Sequence, residues 1–235
     1  MHPLRRRFSA RGLNMVTITG NKGSHGTNGA APTDGGLGED KSLTQNGAIG
    51  LDTFTYVIRG GEGGDGGNGV GADGGAGGKG GKSTINVNGN IFNNPATTNL
   101  TVSLTAQGGD GGLGGTASLG FNAGPLGNGG NANVTVNGNI LQPNKIMNNI
   151  VLEAIAIGGF GPVKGNATAV LSGNVVQVSK ANNVTLKASA SVNDPADSTF
   201  NDGDSDFGTK TATLTGNIVQ GNITNVTLQS DAKYS

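Results

Sequence analysis

The sequence predicts an all-β fold, a repeat β-solenoid of about five two-strand units that carries Gly-rich inserts. Three observations predict it. A Gly-Asn dipeptide closes an alternating apolar segment five times along the chain. A second alternating segment follows each copy and refills the same positions with the same class of residue. No apolar stripe of helical period occurs, and Gly, Asn and Thr, all poor helix formers, supply 46, 29 and 23 of the 235 residues.

The five copies are VTITGN at 16–21, INVNGN at 85–90, VTVNGN at 134–139, AVLSGN at 169–174 and ATLTGN at 212–217. Apolar residues stand two places before the Gly, and again two places after it in the last four copies. Period 2 carried through a Gly reads as a strand with a bulge or a close backbone approach. The second segments start at Phe54, Leu100, Ile150, Val184 and Val226. Two inward ladders are expected, one of Val87, Val136, Leu171 and Leu214, the other of Leu100, Ile150, Val184 and Val226, with Phe54 in line with Leu100. Each unit alone has too little apolar face to fold, so stacking is required. A β-sandwich of hairpins fits the same spacing and is the alternative.

Between the units lie Gly-rich inserts at 20–38, 60–81 and 108–131, and an acidic insert at 193–208. Residues 60–81 hold 14 Gly in 22. Their glycines keep a period of three, slip once between Asn68 and Asp73, and resume. A polyproline-II backbone has three residues per turn, so a GGx run turns two glycines toward neighbouring chains and the third residue away. Residues 60–81 are therefore expected to fold back as two extended threefold strands in a polyglycine-II-like bundle.

Composition excludes much chemistry. There is no Cys, so disulfides, thiolate metal sites and thiol nucleophiles are absent; His2 and His25 are the only histidines and sit in no catalytic motif. Fifteen basic residues balance fifteen acidic ones, which leaves no net field for nucleic acid. The chain reads as no enzyme, with no nucleic-acid partner and no membrane span. GGEGGD at 60–65 has the opening of a calcium-binding GGxGxD nonapeptide, but Gly67 stands where an aliphatic residue is needed. Asp202, Asp204 and Asp206 occupy positions 1, 3 and 5 of an EF-hand-like loop, with Phe207 in place of the sixth-position Gly, which makes them candidate ligands of a weak calcium site. No cofactor is expected apart from calcium at that weak site, and a solvated acidic loop is the alternative reading of the same residues. Rows such as Thr17 with Thr19, and Thr211, Thr213 and Thr215, are placed to form outward Thr faces.

Residues 1–14 carry Arg5, Arg6, Arg7 and Arg11 with no apolar run behind them, a flexible basic tail and not a secretory signal; residues 15–235 form a single repeat domain. The xVxVxGN[IV] copies resemble the β-solenoid repeats of autotransporter passengers and filamentous-haemagglutinin-like adhesins of bacterial surfaces. The GGx islands resemble the polyglycine-II segments of phage tail-fibre tip adhesins. The first resemblance implies an extracellular or cell-surface structural or adhesive protein that self-assembles through open strand edges, by extension into filaments. The second implies binding to a host-surface glycan or protein receptor. An RTX-like calcium-binding secreted protein is the further alternative.

Overall fold

The computed structural model describes residues 14–93, 95–192 and 208–234. Among them there are strands and turns and no helix. In chain order the strands are β1 (Asn14–Thr19), β2 (Lys41–Asn46), β3 (Phe54–Arg59), β4 (Ser83–Asn88), β5 (Ile91–Phe92), β6 (Asn99–Gln107), β7 (Ala132–Asn137), β8 (Ile140–Leu141), β9 (Met147–Gly158), β10 (Ala167–Ser172), β11 (Val175–Val192), β12 (Lys210–Thr215) and β13 (Ile218–Tyr234).

The chain alternates between two sheets. The first runs β1-β3-β6-β9-β11-β13, and the second runs β2-β4-β7-β10-β12. The short β5 and β8 pair with each other, and β8 also pairs with the start of β11, at the corner between the sheets. Every pairing is parallel. Consecutive strands never pair, so the alternative of a hairpin sandwich is excluded. Each rung consists of one strand of the first sheet, a glycine excursion, one strand of the second sheet and a corner that leads to the next rung.

The core lies between the sheets and repeats rung by rung. Val87, Val136, Leu171 and Leu214 are register partners, the first three buried and Leu214 partly so. Leu100, Ile150, Val184 and Val226 are also in register, and Val226, on the outermost strand β13, is 49% exposed. Phe54 pairs with Val102 and not with Leu100. A shift of two residues keeps the same face inward, so alternation alone could not separate the two registers. Phe54 stacks on Tyr56 at 4.6 Å between ring centroids.

The segment VTITGN is not a copy of the Gly-Asn unit. Its strand, β1, lies in the first sheet against β3, with Val16 opposite Tyr56 and Thr19 opposite Arg59. The missing fifth copy is 41–49, where Leu43 pairs with Ile85, Gln45 with Val87 and Ile49 with Ile91. It escapes a motif search because Gly47 is followed by Ala48 instead of Asn.

The glycine of each copy makes a corner, not a bulge. Gly47, Gly89, Gly138, Gly173 and Gly216 all have φ between 60° and 62°, a left-handed conformation that costs a Cβ-bearing residue about 1–2 kcal/mol. The corner breaks the period of two. Ile91, Ile140 and Val175 are therefore only partly covered, while the residues after them, Phe92, Leu141 and Val176, fill the core.

The asparagine after the corner is buried and spans the rungs. Asn90 donates from its backbone N–H (3.0 Å) and Nδ2 (2.9 Å) to Oδ1 of Asn139, which donates in the same way to Asn174, and Asn174 to Asn217. Each Nδ2 also reaches a carbonyl of the rung before: Gln45 from Asn90, Val87 from Asn139 and Val136 from Asn174. A second ladder, Asn99–Asn149–Asn183–Asn225, runs along the exposed surface. Removing a buried partner strands the groups that faced it. Asn139→Ala is thus expected to cost about 2–4 kcal/mol in denaturant unfolding, and Asn225→Ala within about 0.5 kcal/mol.

Candidate functional surfaces

Beyond the strands the chain continues as extended glycine segments with the same rung-to-rung step. Segments 20–29, 60–69 and 108–116 form one layer, and the returning segments 33–40, 73–82 and 122–131 a second. Gly20, Gly23, Gly26 and Gly29 donate to the carbonyls of Arg59, Glu62, Asp65 and Asn68 of the next rung at 2.8–2.9 Å. Gly60, Gly63, Gly66 and Gly69 repeat this onto Gln107, Asp110, Leu113 and Thr116. The second glycine of each triplet bonds across the layers: Gly81, Gly78 and Gly75 donate to Gly61, Gly64 and Gly67, each at 2.8 Å. Residues 60–81 thus fold back on themselves as two extended segments with a period of three, as their glycine register predicts.

The packing leaves no room for a side chain. A Cβ on Gly64 would stand 2.0 Å from the Ser24 carbonyl oxygen, and one on Gly75 would stand 2.2 Å from that of Thr33.

The third residue of each triplet plays a part that composition did not reveal. At many of these places its amide is taken by an Asp or Asn side chain of the preceding rung. Leu113 N–H donates to Asp65 Oδ1 (3.0 Å), Ala76 to Asp34 (2.8 Å), Lys82 to Asp40 (2.7 Å), Asn122 to Asp73 (2.7 Å) and Phe160 to Asp110 (2.7 Å). The legible signal is that Asp or Asn recurs at places set by the glycine period, among them Asn28, Asp34, Asp40, Asp65, Asn68, Asp73 and Asp110. Accepting the Leu113 amide holds the Asp65 carboxyl below its ordinary value, helped by Lys22 at 3.4 Å and by His25. A carboxyl lowered on folding stabilises the protein above its unfolded pKa, and that contribution is lost as pH falls through the folded one.

Three turns gather at the far end of the glycine layers, at residues 29–33, 69–73 and 116–122. They are tied to one another: Val70 N–H donates to Gly29 O (2.9 Å), Gly71 N–H to Ser118 Oγ (3.1 Å) and Ser118 Oγ to Gly69 O (3.2 Å). Leu119 is 104% exposed, Val70 64% and Phe121 46%.

The two sheets differ on their outer faces. On the second sheet the outward positions are Ser, Thr or Asn with the single exception of Val170, and Thr211, Thr213 and Thr215 lie there on β12. Thr17 and Thr19 face outward from the first sheet, so the two expected Thr rows belong to different faces. The first sheet also carries the ion pair Lys187–Glu153 at 3.0 Å.

Asp202, Asp204 and Asp206 lie outside the described residues, as do residues 1–13 of the expected basic tail and most of the acidic insert. Among the described residues no group of three or more His, Asp or Glu is placed to hold a metal, and no helix is long and apolar enough to cross a membrane.

No family model and no curated protein matches the chain. Among solved structures, the chain is compared with the nine-helix polyproline type II bundle of a springtail antifreeze protein from Granisotoma rainieri, at 23% identity over 64% of this chain and 89% of that one, with a TM-score of 0.12. A score that low is no evidence of a shared fold.

Two outcomes follow from the glycine lattice. Gly64→Val should lower the melting temperature by the equivalent of about 1–3 kcal/mol or more, the usual cost of overpacking, and Gly75→Val should behave alike. Thermal melts of the unaltered protein should fall as pH drops below about 4. Asp65→Asn, which keeps the acceptor and loses the titration, should flatten that dependence.

Proposed function

We propose that the chain is an extracellular structural or adhesive protein of a cell surface or matrix, built as a β-solenoid with a polyglycine-II-like flank, which self-assembles through its open strand edges. The observation that carries this reading is the state of the outermost described strands. β1 and β2 at one end and β12 and β13 at the other are each paired on one side only. Unpaired rows of N–H and C=O groups template further strands. Core residues also lie open at the β13 end, where Leu228 is 59% exposed beside the half-exposed Val226. A formal net charge of zero provides no repulsion between copies.

The second reading is a tail-fibre tip adhesin that binds a host-surface receptor through loops. Three turns gathered at one end of a rigid glycine scaffold favour it, since binding residues commonly sit on loops that a scaffold positions.

Sedimentation velocity and electron microscopy at micromolar concentration test the first reading. Oligomers or filaments are expected, and Leu228→Asp should shift them toward monomer. A monomer at every concentration would overturn it and favour the tip adhesin.

A further inference from the structure

We infer that the tip formed by the three glycine-rich turns is a contact surface for a lipid bilayer, entered by Leu119, Val70 and Phe121. This rests on reading the turns as a binding surface and not on self-association, because one copy carries the whole tip.

The tip gathers three exposed apolar side chains, whereas along the rest of the glycine flank Leu37 and Leu113 are exposed singly among polar residues. The flank exposes Lys22, Glu62, Lys79 and Lys82 along its length. The turns themselves read Gly-Ala-Ala-Pro-Thr, Gly-Val-Gly-Ala-Asp and Thr-Ala-Ser-Leu-Gly-Phe-Asn, with Asp73 as their sole charge. Exposed apolar residues scattered singly need no explanation, but several from different rungs gathered at one end of an element do.

Its shape decides between partners. A protein partner for three protruding side chains would need a pocket for each. Leu119 is as exposed as an isolated residue, which makes the tip convex and projecting. A projecting apolar apex can enter the boundary between headgroups and acyl chains without any pocket being built for it, and Leu and Phe are among the residues that favour that boundary. Asn28, Asn68 and Asn122 frame the turns, and Oδ1 of Asn28 and of Asn68 accepts the backbone N–H of Asn68 and of Thr116. The near absence of charge points to a zwitterionic surface as well as an anionic one, since no basic patch is there to select anionic lipid.

The tip is also already ordered. The bonds from Val70 to Gly29 and from Gly71 to Ser118 fix the turns against one another, and the bond from Phe121 N–H to Ser118 O (3.1 Å) closes the third turn on itself. Insertion therefore orders little additional backbone, which removes one of the usual costs of binding.

The chain has no Cys, so Leu119→Cys carrying an environment-sensitive fluorophore reports on the tip alone, and Thr84→Cys on the second sheet serves as a control. With phosphatidylcholine vesicles, a blue shift is expected at position 119 and none at position 84. In vesicle co-sedimentation, Leu119→Ser and Phe121→Ser should each lower the partition coefficient about tenfold or more, the loss of one buried apolar side chain. Pelleting of the protein alone, run in parallel, separates this effect from self-association. No shift at position 119, or vesicle binding that both substitutions leave unchanged, overturns the proposal. Should the labelled tip bind intact bacterial cells but not vesicles, the lipid assignment falls and the contact surface stands. Failure to bind either removes both.

Discussion

Hydrogen bonding from each rung to the same place in the next is the constraint on which every other feature rests. Parallel strands lie about 4.8 Å apart, and the glycine segments keep the step that the strands set. Thr19 pairs with Arg59 at the end of β1, and the next residue, Gly20, donates to the Arg59 carbonyl. The chain passes from strand to glycine segment without losing register, and it returns in register to the second sheet, where Lys41 donates to Lys82 and also pairs with Ser83. An insertion is tolerated only if the rung closes on the same ladder.

That constraint permits two kinds of interior. Between the sheets the rungs meet through apolar side chains, and the ladder Tyr56, Leu104, Ala154, Ala188 shrinks along the stack as its neighbour Ile58, Ala106, Ala156, Ala190 does. In the flank the rungs meet through backbone alone. Glycine loses the most conformational freedom on ordering, and a net gain of about 1 kcal/mol per hydrogen bond does not greatly exceed the roughly 1–2 kcal/mol lost per ordered residue. The flank is therefore stable only because the strands present each glycine segment to its neighbour already aligned. Apolar burial in one half supports hydrogen bonding in the other.

The same division explains which parts of the fold could be read from the sequence. Alternation identified strands, and repetition identified the ladders of Val87 and Leu100, because both signals report on side chains facing a common core. Glycine phase identified the folding back of residues 60–81, because only a period of three lets the same glycine face a neighbour at every turn. What failed had no side-chain signature. Gly20-Asn21 and Gly89-Asn90 are the same dipeptide, yet one enters a glycine segment and the other turns a corner at φ 62°. Conversely, Gly47-Ala48 makes that corner with a different dipeptide. The offset of Phe54 by two residues preserves the inward face, so no pattern of polarity could expose it. The Asp and Asn acceptors of the flank were visible as letters, but their role depends on an amide about 35 to 50 residues away that only the register brings alongside.

Those acceptors separate into two chemistries, and solvent draws the line. At the corner the acceptor is always Asn, and Asn90, Asn139 and Asn174 are fully buried. A carboxylate there would be desolvated at a cost of several kcal/mol and could not supply the Nδ2–H that each asparagine gives to the rung before. On the flank the acceptor faces water, so Asp34, Asp40, Asp65, Asp73 and Asp110 serve as well as Asn68, Asn131 and Asn166. The carboxylate there makes the stronger, charge-assisted bond and adds charge that favours solubility. Ala48 stands at the same place one rung earlier, and its N–H donates to Asn90 Oδ1 at 3.0 Å, so the corner ladder begins with a residue that only gives a bond to the next rung's asparagine.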